Sequence, residues 1–155
     1  MGVNIMQKAN NHQPTTSYEK FLIKKYNHWE VYLHENQTYL GRTYIWAKRE
    51  NALDFFDMNK EEQNEYFKIG RELKKALQNL FNPDLYNYAT LANVSPHLHT
   101  HIIPRYASLR KFNGIEFIDD RWGQNYAPYD KNFKLTESEL ESIKKIIMKE
   151  LNKIN

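Results

Sequence analysis

This chain of 155 residues has no cysteine, so neither disulfide stapling nor thiol catalysis is available to it. No apolar stretch reaches the length of a membrane span or a signal-peptide core, and a soluble, cytoplasmic protein without a membrane partner is expected. Blocks of like charge are missing too. The formal net charge is only +3, from 22 Lys and Arg against 19 Asp and Glu. That excess attracts small anions without marking a nucleic-acid-binding tail. No internal repeat or low-complexity segment is evident. Aromatic residues are plentiful, at 14% with 11 Tyr and 8 Phe, which argues against disorder. The length fits one domain with a real core.

Residues 1–17 are rich in Asn, Gln and Thr, and are expected to form a flexible arm in which His12 is incidental. Residues 18–155 form the single domain. Strand signals begin at Phe21-Leu22-Ile23 and return at Trp29–Leu33. Glu35-Asn36-Gln37-Thr38 has turn character, and residues 39–49 read as a strand entered through Gly41. Asn59 with Glu62 makes a capping box, and Tyr66, Ile69, Leu73, Leu77 and Leu80 recur at helical spacing until Asn82-Pro83 stops them. Residues 85–93 are the next strand, separated from His97 by only Val94-Ser95-Pro96. Residues 106–133 lack periodicity and are expected to form an aromatic loop over the site or the sheet, with Trp122, Tyr126 and Tyr129. Thr136 with Glu139 caps a last helix with the stripe Leu140, Ile143, Ile147, Leu151 and Ile154. This helix packs on the sheet or on a second subunit.

Half of the six histidines fall within five residues, in His97-Leu98-His99-Thr100-His101-Ile102-Ile103-Pro104-Arg105. On a β-strand this alternation puts all three imidazoles on one face, about 6.6–6.8 Å apart. Two charges about 7 Å apart repel by about 2.4 kcal/mol at an effective dielectric near 20. At least one ring therefore stays neutral and nucleophilic while a neighbour carries a proton. Phosphoryl or nucleotidyl transfer uses such a set as nucleophile, charge stabiliser and acid. The same three rings also suit a zinc or non-haem iron site. Against that stand the missing cysteines and the missing His-Glu-x-x-His helix.

The His-x-His-x-His run followed by two apolar residues resembles the signature of the histidine triad (HIT) family of nucleotide hydrolases and nucleotidyl transferases. The Pro104-Arg105 ending is closer to its dinucleoside polyphosphate hydrolase branch. The resemblance implies His99 as nucleophile, forming a covalent nucleotidyl-histidine, His101 as phosphate contact, and His97 as the residue that orients the site. It also implies a substrate-contacting Asn93, a homodimer, and a HIT-like α+β fold in which an antiparallel sheet is flanked by two main helices. Thr100 departs from the family pattern, where an apolar residue is usual, and makes the strand's far face partly polar. Gly41 matches the family's Gly-His pair, but Arg42 stands at the histidine position. Arginine cannot give up a proton at neutral pH, yet its fork of donors suits phosphate. The family's ribose contact lies upstream, where His34, Glu35 and Asn36 fall.

The resemblance thus implies an enzyme cleaving nucleotide conjugates, such as dinucleoside polyphosphates, at the α-phosphate. Its catalytic residues are His97, His99 and His101. Asn36, Arg42, Asn93, Ser95 and Arg105 bind substrate, Arg105 at a distal phosphate or in a salt bridge at the strand end. No cofactor or metal is required, although a divalent cation can accompany a polyphosphate substrate. The alternatives are a metal-dependent hydrolase using the three histidines as ligands, and a catalytically silent nucleotide-binding module.

Overall fold

The computed structural model describes residues 16–154. The expected arm at residues 1–17, His12 included, falls almost wholly outside them. The first described residues form a short helix, α1 (Thr16–Glu19).

Five strands make one antiparallel sheet: β1 (Leu22–Lys25), β2 (Trp29–Leu33), β3 (Thr43–Ala47), β4 (Leu85–Ala89) and β5 (His99–Arg105), in the order β1-β2-β3-β5-β4. A 3₁₀ turn (Phe55–Asp57) leads from β3 to helix α2 (Lys60–Phe81). Beyond β5 lie a small hairpin, β6 (Arg110–Phe112) and β7 (Ile115–Phe117), and helix α3 (Glu137–Lys153).

Period-two alternation explains which way the sheet faces. Trp29, Val31 and Leu33 of β2, with Ile45 of β3 and Ile102 of β5, are buried in the main core. Both helices bury their stripes in that same core: Ile69, Leu73 and Leu77 from α2, and Leu140, Ile143, Ile147 and Leu151 from α3. The two main helices therefore lie on one face, and α3 packs on this chain's own sheet and on α2. Both capping boxes form. Asn59 and Thr136 accept from the backbone N–H of Glu62 and Glu139, whose carboxylates reach back. Asn82 closes α2 in the left-handed conformation at φ 48°.

The polar Thr100 on the helix face is satisfied within the fold. The Tyr66 hydroxyl of α2 donates to Thr100 Oγ1 at 2.8 Å, and the Thr90 and Thr100 hydroxyls bond at 2.7 Å. Burying the Thr100 hydroxyl costs little once it has these partners.

Three strand expectations need correcting. Residues 39–49 are strand only at Thr43–Ala47, because Tyr39, Leu40 and Gly41 turn the chain, with the Arg42 N–H donating to Tyr39 O. β4 ends at Ala89 rather than at residue 93, since Ala92 is left-handed at φ 52°. The connection to β5 is therefore the whole irregular segment 90–98. The stretch 106–133, expected as loop throughout, contains the β6–β7 hairpin.

Candidate active site

The sheet face away from the helices carries a cleft of about 640 Å³. Residues at its more apolar part include Tyr18, Phe21, Leu33, Trp46 and Leu91; the polar part includes His34, Arg42, Asn93, Ser95, His99 and His101.

β5 places two of the three triad histidines on this face, their rings 5.0 Å apart and nearly perpendicular. Opposite them on β3, Trp46 pairs with His99 and Tyr44 with His101. His97 precedes the strand, and this corrects the expected row of three equally spaced rings. Its backbone is held in the 90–98 segment, where its N–H donates to Ser95 O. Its ring stacks on Trp46 at 4.3 Å, and its Nε2–H donates to Ala47 O at 2.6 Å. The carbonyl of His97 in turn accepts a 2.7 Å bond from His99 Nδ1. A carbonyl only accepts, so His99 carries its proton on Nδ1 and keeps a lone pair on Nε2 when neutral. His97 thus orients His99 through its backbone. Among the described residues no group of three or more His, Asp or Glu side chains is placed to hold a metal ion. With the His97 ring turned to Ala47, the three-imidazole metal arrangement is not assembled.

A fourth histidine joins the cluster. His34, just past β2, meets the His101 ring at 5.5 Å. Burial, then the Arg42 guanidinium, pushes the imidazole of His34 down to about 3 and that of His101 to about 2. Burial also lowers His99, against the pull of its bond to His97. All three rings are therefore neutral at neutral pH. Ring–ring repulsion contributes at His34 and His101, but desolvation leads it, and this corrects the expectation that a neighbour of the neutral ring carries a proton.

Arg42 lies on the same front, buried at 3% exposure. Its guanidinium carbon sits 4.5 Å from the ring centroid of Tyr129 and 5.5 Å from that of Tyr126. These are cation–π distances. Its Nε and Nη1 have no hydrogen-bond partner. Gly41 makes this placement possible. At φ 86° it packs on α2 so closely that a Cβ would lie 2.9 Å from a methyl of Leu77. Gln37, fully buried, holds the same hairpin: its amide donates to the carbonyls of His34 and Arg42, and its Oε1 accepts from Gly41 N–H.

The aromatic loop expected in residues 106–133 does cover the cleft, through Tyr126 and Tyr129. Asn36 helps to hold it there. Its side chain donates to Asp130 O and accepts from Thr38 N–H, so its amide is committed to the loop and not to a ribose. Arg105 likewise does not reach the cleft. Nε and Nη2 pair with Asp119 at 2.7 and 3.0 Å, and the remaining donors go to Asn87 and to the carbonyls of Arg121 and Gln124. Of its two expected roles, the salt bridge is the one formed. Asn93 and Ser95 line the cleft as expected. The site residue that sequence reasoning placed only loosely, in a stretch of three polar residues, is His34.

The comparisons with known proteins agree with this geometry. No curated protein gives a significant match. Among solved structures, the chain superposes on a histidine triad protein from Bradyrhizobium japonicum with a TM-score of 0.71 and 16% identity, over 90% of this chain and 97% of that one. A histidine triad protein from Sinorhizobium meliloti gives 0.72 and 15%, over 91% and 98%. A hypothetical histidine triad nucleotide-binding protein from Sulfolobus tokodaii gives 0.65 and 15%, over 86% and 85%. Identities this low show a shared fold. The HIT domain model matches residues 15–108, which hold the whole five-stranded sheet and the triad, and the chain belongs to the HIT domain family.

Proposed function

We propose that the protein is a nucleotide hydrolase or nucleotidyl transferase acting at the α-phosphorus of a nucleotide conjugate, with a dinucleoside polyphosphate as the substrate class. The observation that carries the reading is His99, whose Nδ1–H is fixed on the His97 carbonyl and whose Nε2 is left as the nucleophilic atom beside the cleft. Neutrality of that ring keeps the lone pair available at neutral pH.

In the first step His99 Nε2 attacks phosphorus, forming an N–P bond. The bond from phosphorus to the bridging oxygen breaks, and the leaving portion departs with the electron pair as an anionic phosphate. Water then attacks the same phosphorus. The N–P bond breaks, neutral His99 returns, and a nucleoside monophosphate leaves with the released proton passing to solvent. Charge on the phosphoryl oxygens is met by the unpartnered donors of Arg42 and by His101, a fixed electrostatic contribution made before the reaction begins. Asn93 and Ser95 supply further polar contacts at the rim, and the apolar part of the cleft suits a nucleobase.

Mass spectrometry of the protein after incubation with a diadenosine polyphosphate tests this, wild type beside His99→Ala. AMP release and an adenylyl adduct are expected in wild type, with turnover reduced at least about a thousandfold in the variant. AMP formation undiminished in His99→Ala would overturn the role of His99. Nucleotide binding without any turnover would make the protein a binding module.

A further inference from the structure

We infer that His34 and His101 together take up a proton from solvent when an anion binds beside Arg42. The inference rests on the cleft being a phosphate site and adds how charge is balanced as the ligand arrives.

Three geometric observations carry it. First, Arg42 is buried with two donors unpartnered, and no carboxylate among the described residues answers its charge. A buried cation left in that state is ready for an anion. Second, His101 Nδ1 is also buried without a partner, and its ring meets that of His34 at 5.5 Å. Third, His34 Nδ1 lies 3.0 Å from the backbone N of Asn36 and 3.2 Å from its carbonyl oxygen. A neutral ring accepts from that N–H, and a protonated ring donates to that carbonyl. The same place therefore holds either state without a change of rotamer.

The surrounding groups set the direction. Facing the pair are Arg42 from the β2–β3 hairpin, His99 from β5, Tyr44 from β3, Glu35 at the exposed rim, and Tyr126 and Tyr129 from the covering loop. Tyr44 is kept a neutral phenol by burial. Arg42 is thus the buried charge, and it opposes a second positive charge on either histidine. A bound anion cancels that opposition and supplies the counter-charge for one imidazolium, shared between two coupled rings.

Inorganic sulfate is the probe, because its charge is constant over the range in which histidine titrates. Histidine-ring NMR tracks the rings from about pH 8 down to about pH 4, toward the depressed range of the free pair, with calorimetry in two buffers of different ionisation heat counting protons. Sulfate is expected to raise the transition of the His34–His101 pair and to bind about threefold or more tighter at the acid end. His34→Asn is expected to remove most of the proton uptake while sulfate still binds. Arg42→Met gives two separate readouts: a higher histidine transition in the free protein, and no further rise on adding sulfate. A purely structural role for Arg42 or His34 moves neither. Failure of sulfate to bind, an unchanged transition at saturating sulfate, or full uptake in His34→Asn would each overturn the inference. None of these readouts needs turnover, so a missing adduct on His99 would sink the proposed reaction and leave this result standing.

Discussion

Arg42 and Arg105 are both buried, 3% and 2% exposed, and both guanidinium groups lie over tyrosine rings. Their polar surroundings differ completely. Arg105 has a bidentate carboxylate, an amide and two carbonyls, so that its charge and its donors are matched inside the fold. Arg42 has two aromatic faces and two donors with no acceptor. Burial alone does not separate an arginine matched inside the fold from one with donors left over; the acceptors do. The matched residue holds the loop that roofs the site, and the unmatched one waits beneath that roof.

Breaking the matched pair should have the largest effect. Asp119→Ala leaves the Arg105 charge buried and unpaired, and should cost about 3–5 kcal/mol, seen in calorimetry as a melting temperature lower by on the order of 10 °C. A loss of less than about 1 kcal/mol would show that water replaces the carboxylate and that the comparison overstates the pair. Acid should come next. His34, His99 and His101 are all held below their unfolded value of about 6.5. The unfolded chain binds more protons below that pH, so the stability these neutral rings give is full above it and is lost as pH falls. Urea midpoints should drop on acidification with a slope of up to about 1.4 kcal/mol per pH unit for each ring, and His34→Asn should flatten the curve.

Arg42→Met sharpens the contrast from the other side. It removes an uncompensated buried charge and keeps the volume between the tyrosines, so stability should stay level or rise. Nucleotide affinity, read by calorimetry, should fall at least about tenfold. A stability loss like that of Asp119→Ala would make the two arginines equivalent after all. Asn59→Ala is the smallest change and a calibration. Removing the α2 cap costs about 1 kcal/mol in denaturant unfolding, and nucleotide affinity should not move.

Local signals were legible because they act within a few residues. The Asn59–Glu62 and Thr136–Glu139 boxes and the Trp29–Leu33 strand lie where sequence puts them. So does the histidine motif, with His99 and His101 on β5. Long-range facts were not legible. Alternation extends the strand back to His97, but the backbone turns at Ser95 and gives the His97 ring to Trp46 and Ala47. Nothing near Arg105 in sequence says that Asp119 will meet it, and nothing near Asn36 says that its amide will hold Asp130. His34 joins the site only because the Gln37-stapled hairpin folds its end of β2 toward β5. A stretch of polar turn residues carries no record of that.

The residues that answer the two arginines come late in the chain. Arg42 is made long before Tyr126 and Tyr129, and Arg105 before Asp119. At about 5–20 residues per second of synthesis, a nascent sheet can pair its early strands while Arg42 still has no roof. The cleft gains its β5 wall only when Arg105 is made, and Tyr126 follows 21 residues later, about 1–4 s at that rate. Tyr126 and Tyr129 are the last cleft-lining residues to be made, so the order of translation leaves the aromatic cover of Arg42 as the final part of this front to close.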